Sequence, residues 1–300
     1  MTEIQNHISV CICTFKRGEL LTRLLNKLTC QVTEGEFTFS VVIADNDSAH
    51  SADQVVREIS QATGLRIKYC VEPQQNIALV RNQALQNADG DLIAFIDDDE
   101  VPLEHWLLNL FRTLKTSGAD GILGPVKPYF DHEPPAWVRK GGFFDRPDYP
   151  TGTKLRWNEC RTGNVLFKRK ILSLVHVPFR SEFGTAGEDM DFFRRMIERG
   201  CQFVWCSEAV AYELVPEARC KRSFLLKRAL LRGSNFPKHP SKRLTNLFKS
   251  ILAVPAYTIA LPVFALIGQH LFLKYLVKIC DHASRLLAFA GWAVVKERET

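Results

Sequence analysis

The chain has 300 residues, enough to bury the core of one large domain or two modest ones, which excludes peptides, disulfide-bonded miniproteins and collagen-like chains. Hydrophobic residues make up 46% of it and charged residues 24%, close to the globular average, so we expect a folded protein. The net charge of +6 is unevenly distributed: residues 219–300 carry 15 Lys/Arg against 3 Asp/Glu, whereas residues 1–218 carry 24 against 30.

The first 125 residues alternate short apolar runs with patterns of helical period. The apolar runs predict strands at residues 8–14, 39–44, 66–71 and 92–96. Leucines 20, 21, 24, 25 and 28 mark one predicted helix face, and similar faces surround Val56 and Val80. This alternation predicts a doubly wound α/β domain with a mainly parallel sheet flanked by helices.

Residues 125–150 form a proline- and aromatic-rich segment with no clear period. It is either a functional loop or a surface insertion packed by its own aromatic rings. Regular structure is expected again from Arg161 to Phe167 and in a short strand from Gln202 to Cys206. Between them, Gly187–Gly200 predicts a helix on which Met190, Phe193 and Ile197 share one face.

A long uncharged stretch lies near the C-terminus, where residues 250–273 contain no Asp, Glu, Lys or Arg. It is long enough to cross a bilayer, although Pro255 and Pro262 interrupt it. Seven basic residues precede it: Lys227, Arg228, Arg232, Lys238, Lys242, Arg243 and Lys249. We therefore expect association with an anionic membrane surface, and the alternative is a helical pair packed on the protein or in a dimer.

Cysteine usage and the N-terminus both favour the cytosol. The nine cysteines include no C-x-x-C pair, which is typical of reduced thiols. The first ten residues lack the basic and apolar regions of a secretory signal, so none is expected.

Acidic residues follow two of the predicted strands at the sheet edge where ligands bind in such folds. Asp45 follows the second strand, and Asp97, Asp98 and Asp99 follow the fourth. Three adjacent carboxylates repel one another, and a divalent cation is the simplest compensation. Hard oxygen ligands favour Mg²⁺ or Mn²⁺, and the alternative is a solvated acidic loop.

Five segments occur in an order and spacing that resembles the family 2 glycosyltransferases. They read SVCICTFKR, VVIADNDS, NIALVRNQAL, FIDDDEVP and GEDMDFFRRM, within residues 7–232. The chain is especially similar to bacterial enzymes that build exopolysaccharide repeat units of the succinoglycan type on lipid carriers. The resemblance implies a GT-A fold and an inverting transfer from a nucleotide-sugar.

The resemblance also implies a donor site. Thr14 and Arg17 would line the nucleotide site, and Asp45 would hydrogen-bond the base, commonly uracil in this family. Arg81 would orient Asp45 or approach the diphosphate, and the alternative is a surface arginine. Gly163 and Asn164 resemble a segment near the donor sugar and the acceptor.

Asp97 and Asp99 correspond to the D-x-D motif of the family and would hold the metal, with Asp99 favoured as the direct ligand. Asp98 would lie near the ribose or the sugar. The bound Mn²⁺ or Mg²⁺ would neutralise charge on the departing nucleotide. Many relatives carry a histidine where this chain has Glu213. Glu213 replaces it as a ligand, or the metal relies on Asp99, phosphate and water.

Glu188 and Asp189 match an acidic pair at the start of a helix in the family. An inverting displacement needs one base to accept the proton of the acceptor hydroxyl. We assign this role to Asp189, with Glu188 as the alternate. In the alternative structural role, both carboxylates only complement the positive helix N-terminus.

The predicted organisation is a catalytic domain at 1–232 and a basic, hydrophobic helical tail at 233–300. The predicted enzyme moves a hexose from a UDP-sugar to a saccharide or lipid-linked oligosaccharide acceptor at the cytoplasmic face of the inner membrane. The alternatives are a catalytically silent assembly subunit and a nucleotidyltransferase. No nucleic-acid partner is expected, because the basic residues adjoin an apolar run instead of an aromatic stacking platform.

Overall fold

The computed structural model describes residues 6–184, 187–234 and 243–292. The chain divides into two compact units, one formed by residues 1–128 and 146–214 and the other by residues 129–145 and 215–300. The units divide near residue 214, earlier than the predicted boundary after residue 232. Lys238 and Lys242, two of the basic residues before the uncharged stretch, lie outside the described residues.

A seven-stranded mixed sheet forms the centre of the first unit, in the order β3-β2-β1-β4-β8-β6-β9. Its strands are β1 (Asn6–Thr14), β2 (Phe37–Asp45), β3 (Ile67–Val71), β4 (Leu92–Phe95), β6 (Gly121–Leu123), β8 (Val165–Lys168) and β9 (Phe203–Trp205). β1 to β4 are mutually parallel where they pair, and β8 runs antiparallel to both β4 and β6. The predicted mainly parallel α/β sheet is confirmed.

Helices cover both faces of this sheet because its strands present apolar side chains alternately to each side. Ile8, Val10 and Ile12 of β1 share one core with α1 (Gly18–Leu28), α2 (Asp53–Thr63) and α4 (Trp106–Ser117). Cys11, on the opposite face of β1, packs in a second core with α3 (Ile77–Asn87) and α6 (Glu188–Glu198).

The buried face of α6 differs from the prediction. Phe192, Phe193 and Met196 are fully buried, whereas Met190 and Ile197 are only partly buried. The predicted face was therefore displaced by about one residue around the helix, because the core accommodates two adjacent aromatic rings. Those rings contact each other edge to face at 5.3 Å.

A small three-stranded sheet continues from the D-D-D segment. Its strands are β5 (Glu100–Pro102), β10 (Ala211–Leu214) and β7 (Val126–Tyr129), in the order β5-β10-β7. β10 runs antiparallel to β5 and places Glu213 directly opposite Glu100. This pairing brings two carboxylates from distant parts of the chain to one edge of the unit.

The second unit is helical. It contains α5 (Ala136–Gly141), α7 (Arg222–Ser234), α8 (Arg243–Ile267) and α9 (Gln269–Phe289). Ser284 of α9 donates a 2.6 Å hydrogen bond to the carbonyl of Leu230 in α7. Among the described residues, one helical stretch, Leu247–Ile267, is long and apolar enough to cross a membrane, and few of its residues are buried.

Candidate functional site

The predicted site residues collect at the carboxyl ends of β1, β2 and β4. The parallel pairing of β1 and β2 sets Thr14 beside Asp45, and β4 ends two residues before Asp97. The first turn of α6 brings Glu188 to Arg81 of α3. Residues separated by more than 100 positions therefore meet at one sheet edge.

Thr14 and Arg17 hold the side chain of Asp98. Thr14 Oγ1 donates to Asp98 Oδ2 at 2.8 Å, and Arg17 Nη1 donates to Asp98 Oδ1 at 2.9 Å. Arg17 Nη1 also lies 3.5 Å from Asp99 Oδ2. Asp98 is 5% exposed, and this burial raises its pKa to about 6 although Arg17 opposes the shift.

Arg81 links the D-D-D segment to the helix that carries the predicted base. Its guanidinium is buried, donates to Glu188 Oε1, and lies 3.6 Å from Asp97 Oδ1. Desolvation raises the pKa of Asp97, although Arg81 opposes that shift. The surface-arginine alternative is therefore wrong.

Asp45 is fully buried, and residues close to it in the fold donate hydrogen bonds to its carboxylate. Its Oδ1 accepts from the backbone N–H of Asp47, and its Oδ2 accepts from Ala52 N–H and from the Tyr69 hydroxyl. Burial and this hydrogen bond raise the pKa of Tyr69. Arg81 is bound elsewhere, so it does not orient Asp45. The base contact of Asp45 stays a prediction, and its geometry favours stabilisation of the loop between β2 and α2.

Gly163 lies against the acidic segment, whereas the Asn164 side chain is turned into the protein. A Cβ at Gly163 would lie 2.6 Å from Glu100 Oε1 and 3.1 Å from Asp97 Oδ2. Asn164 Nδ2 donates to the carbonyls of Pro125 and Ala209, and its Oδ1 accepts from Trp106. Asn164 therefore braces the start of β8, and the structure gives its side chain no orientation toward a sugar.

Two charged residues at the site were missed by the sequence analysis. Glu100 is 1% exposed, and its Oε2 accepts from the backbone N–H of Asp97. Arg146 donates to Glu213 and lies 3.9 Å from Glu100 Oε1. Burial raises the pKa of Glu100 well above its ordinary value, and Arg146 opposes this. Glu100 directly follows the D-D-D run, which was a usable signal, but nothing local marks Arg146.

Asp189 occupies the first turn of α6 and is only partly buried. Its Oδ1 accepts from the N–H of Met190 at 2.7 Å. Glu188, its neighbour, is buried in the ion pair with Arg81. The more accessible Asp189 is thus better placed than Glu188 to meet a substrate hydroxyl. The first turn also contains Asp191, so the acidic residues do complement the helix dipole.

The carboxylates at this sheet edge supply some of the ligands that a divalent cation needs. No group of three or more His, Cys, Asp or Glu side chains arranged to hold a metal occurs in the described part of the chain. The predicted trio of Asp97, Asp99 and Glu213 is not among such groups, and Arg146 donates to Glu213, so the metal role of Glu213 stays a prediction. Glu100 Oε1 is buried without a hydrogen-bond partner. One or two carboxylates completed by donor phosphates are usual for Mg²⁺, and Asp99 with Asp97 fits that pattern.

Comparison of the sequence with known proteins identifies its family. The family described as glycosyl transferase family 2 matches residues 9–174. The succinoglycan biosynthesis protein ExoM of Rhizobium meliloti (strain 1021) is 36% identical over 231 residues, covering 76% of this chain and 73% of that protein. Glycosyltransferase AglE of Haloferax volcanii is 23% identical over 210 residues, covering 70% and 67% respectively.

Solved structures share the fold. Residues 1–349 of S. aureus TarS in complex with UDP align with a TM-score of 0.56 at 18% identity, over 95% of this chain and 90% of that one. GalNAc-T7 with UDP, GalNAc and Mn²⁺ aligns with a TM-score of 0.54 at 11% identity, over 71% and 44%. At these identities the similarity establishes a GT-A-like fold.

Proposed function

The chain belongs to glycosyl transferase family 2, and we propose that it transfers a hexose from a UDP-sugar to a saccharide acceptor, with inversion at the anomeric carbon. The observation that carries this proposal is the pairing of Arg81 with Glu188 and Asp97, which joins the acidic donor motif to the helix of Asp189. The similarity to ExoM, a succinoglycan biosynthesis protein, supports a role in bacterial exopolysaccharide biosynthesis, and we propose a lipid-linked acceptor.

The chain's own residues divide the work between donor and acceptor. Thr14 and Arg17 fix Asp98 beside the nucleotide, and Asp97 and Asp99 would hold the divalent cation. When bound, Mn²⁺ or Mg²⁺ supplies positive charge that stabilises the departing nucleoside diphosphate. Asp189 accepts the proton of the acceptor hydroxyl as that oxygen attacks the anomeric carbon.

We propose that Arg81 positions Asp189, the base, and does not itself contact the reacting atoms. By pairing with Glu188 it fixes the start of α6, and a buried arginine bridging two carboxylates keeps few alternative positions. We propose that this pairing also restricts the position of Asp189, the next residue of the helix. A base must lie within hydrogen-bond reach of the proton it accepts, so this rigidity serves the transfer.

A membrane surface is the proposed location, and α8 is the element proposed to meet it. Its exposed side chains form one stripe that includes Leu252, Ile259, Val263 and Leu266. Ile259 is 80% exposed and Leu266 is 89% exposed. A contiguous apolar stripe on a helix flanked by basic residues is typical of binding in the interface plane.

The contacts between α8 and α9 favour a helix lying on the bilayer over one crossing it. Ser250 of α8 lies 2.9 Å from His282 of α9, and Phe264 stacks on Tyr275 at 3.8 Å. The charged Lys278 and Asp281 of α9 therefore lie alongside the middle of α8. A crossing α8 would carry both charges into the hydrocarbon, which is costly. We propose that the cytoplasmic face of the inner membrane is the surface it meets.

The transfer proposal is tested with purified protein, a panel of UDP-hexoses, Mn²⁺ and a lipid-linked saccharide fraction as acceptor. Asp189→Asn removes the base, so turnover should fall by roughly 10²- to 10⁴-fold while UDP affinity stays within about twofold. Asp91→Asn, at an exposed aspartate away from the site, is the matched control and should be fully active.

Two results would count against the proposal. Equal turnover in Asp189→Asn and wild type would remove Asp189 from the mechanism. Tight UDP binding without transfer to any saccharide would instead favour the silent assembly subunit.

A further inference from the structure

Three arginines at the sheet edge each lie between two carboxylates. The pairs are Asp98 and Asp99 for Arg17, Asp97 and Glu188 for Arg81, and Glu100 and Glu213 for Arg146. Six carboxylates thus face three guanidinium groups. The three arginines therefore offset part of the carboxylate charge before any nucleotide or cation enters the donor site.

The three arginines differ in their freedom to move. The Arg81 side chain is 8% exposed and pairs with the buried Glu188, whereas those of Arg17 and Arg146 are 41% and 39% exposed. The Arg146 guanidinium is therefore at the solvent-facing side of the acidic cluster. It can leave Glu213 without opening the core.

The contact between Arg146 and Glu100 is incomplete. Glu100 Oε1 is buried with no hydrogen-bond partner, and Arg146 Nη1 lies 3.9 Å away, too far for a hydrogen bond. Arg146 therefore compensates Glu100 only through charge. A buried carboxylate oxygen without a hydrogen-bond partner, 3.9 Å from a guanidinium, needs an explanation in the surroundings of Arg146.

We propose that Arg146 is an exchangeable counter-charge, held by Glu213 in the donor-free enzyme and transferred to the diphosphate of the donor when a divalent cation takes its place among the carboxylates. This inference rests on the proposed function. A cation bound beside Asp99 repels a neighbouring guanidinium and attracts the carboxylates that held it. The planar fork of arginine matches two phosphate oxygens, so the released side chain has a partner within the same site.

The exchange makes two affinities move in opposite directions when Arg146 is removed. In Arg146→Gln, Mn²⁺ alone meets one cationic competitor fewer, so its dissociation constant should fall by roughly threefold or more. UDP in the presence of saturating Mn²⁺ loses a charge-assisted partner, so its dissociation constant should rise by roughly 10- to 100-fold. Paramagnetic resonance of free Mn²⁺ measures the first affinity, and titration calorimetry measures the second.

Arg146→Lys separates the fork of arginine from its charge. Lysine restores the positive charge, so Mn²⁺ affinity should return to the wild-type value. It lacks the bidentate geometry, so UDP affinity should recover only in part. Arg66→Gln, at an exposed arginine paired with Asp89, is the matched control and should change neither affinity.

The outcomes are distinct. Weaker binding of both Mn²⁺ and UDP by Arg146→Gln would show a merely structural role and overturn the inference, as would unchanged values. Complete recovery of UDP affinity in Arg146→Lys would reduce Arg146 to a distant charge and also overturn it. If the wild-type protein binds no UDP with or without Mn²⁺, the proposed function itself fails. Thermal unfolding of each variant verifies that it is folded.

Discussion

The donor-site edge of the first unit and helix α8 of the second unit place similar apolar sequences in opposite surroundings. In β1, Ile8, Val10 and Ile12 are fully buried between helices. In α8, Ile259 and Leu266 are largely exposed. Hydropathy is high in both segments, so hydropathy alone does not decide whether a side chain is covered by the protein.

The two regions differ in the kind of surface that they leave uncovered, and this difference indicates the kind of ligand that each region binds. The first unit buries its own apolar residues. At its donor-site edge the carboxylates outnumber the arginines that face them, so part of the negative charge is not offset. α8 leaves apolar surface uncovered beside basic residues. The first imbalance calls for a cation and a phosphorylated ligand, and the second calls for a lipid surface.

The largest expected effect concerns the donor-site edge, where the free energy of unfolding should depend on pH through the carboxyl group of Asp98. Its pKa is about 6 in the folded chain against an ordinary value of 3.8. Between pH 3.8 and pH 6, Asp98 therefore keeps its proton in the folded state and has lost it in the unfolded chain. The stability that this bound proton contributes disappears as the pH rises through 6. Relative to Asp98→Asn, the free energy of unfolding of the wild type should fall by on the order of 3 kcal/mol from pH 4 to pH 7.

Urea denaturation of both proteins across this pH range measures the difference. Asp91→Asn provides the comparison for an exposed carboxyl and should track the wild type. A free energy of unfolding of the wild type that rises with pH relative to Asp98→Asn would mean that Arg17 outweighs burial at Asp98.

The second half of the comparison is tested on α8, where the expected effect is smaller. The double substitution Ile259→Glu and Leu266→Glu places charge on the exposed stripe. Since a buried aliphatic side chain contributes about 1.5–3 kcal/mol, each change should weaken binding to phosphatidylglycerol vesicles by roughly tenfold or more. Vesicle cosedimentation measures this, and UDP affinity should stay unchanged.

Leu174→Glu, at an exposed leucine of the first unit, is the control and should leave vesicle binding intact. Extraction with alkaline carbonate distinguishes the two orientations of α8. A helix in the interface plane is released, whereas retention in the membrane pellet would indicate a crossing helix and contradict the proposed orientation.

Much of the fold followed from local patterns, because buried parallel strands are short apolar runs and amphipathic helices repeat every 3.6 residues. The four leading strands and the helices between them were predicted within a few residues. The face of α6 was displaced because the core accommodates both Phe192 and Phe193, and no period reveals that.

The site was predictable where motif residues meet one another and less so where side chains turn inward. Thr14, Arg17 and the aspartates came together as expected. The Asn164 side chain donates hydrogen bonds to two backbone carbonyls, and a sequence motif does not reveal this orientation. Arg146 meets Glu213 across 67 positions of sequence, and only the tertiary fold brings them together.

The measurement that tests the central claim most directly is calorimetric titration of UDP into the wild-type protein and Asp99→Ala, each with and without Mn²⁺. We predict Mn²⁺-dependent UDP binding by the wild type and its loss in Asp99→Ala, with the variant still folded by circular dichroism. UDP binding of equal strength in both proteins would contradict the assignment of the D-D-D segment as the donor site.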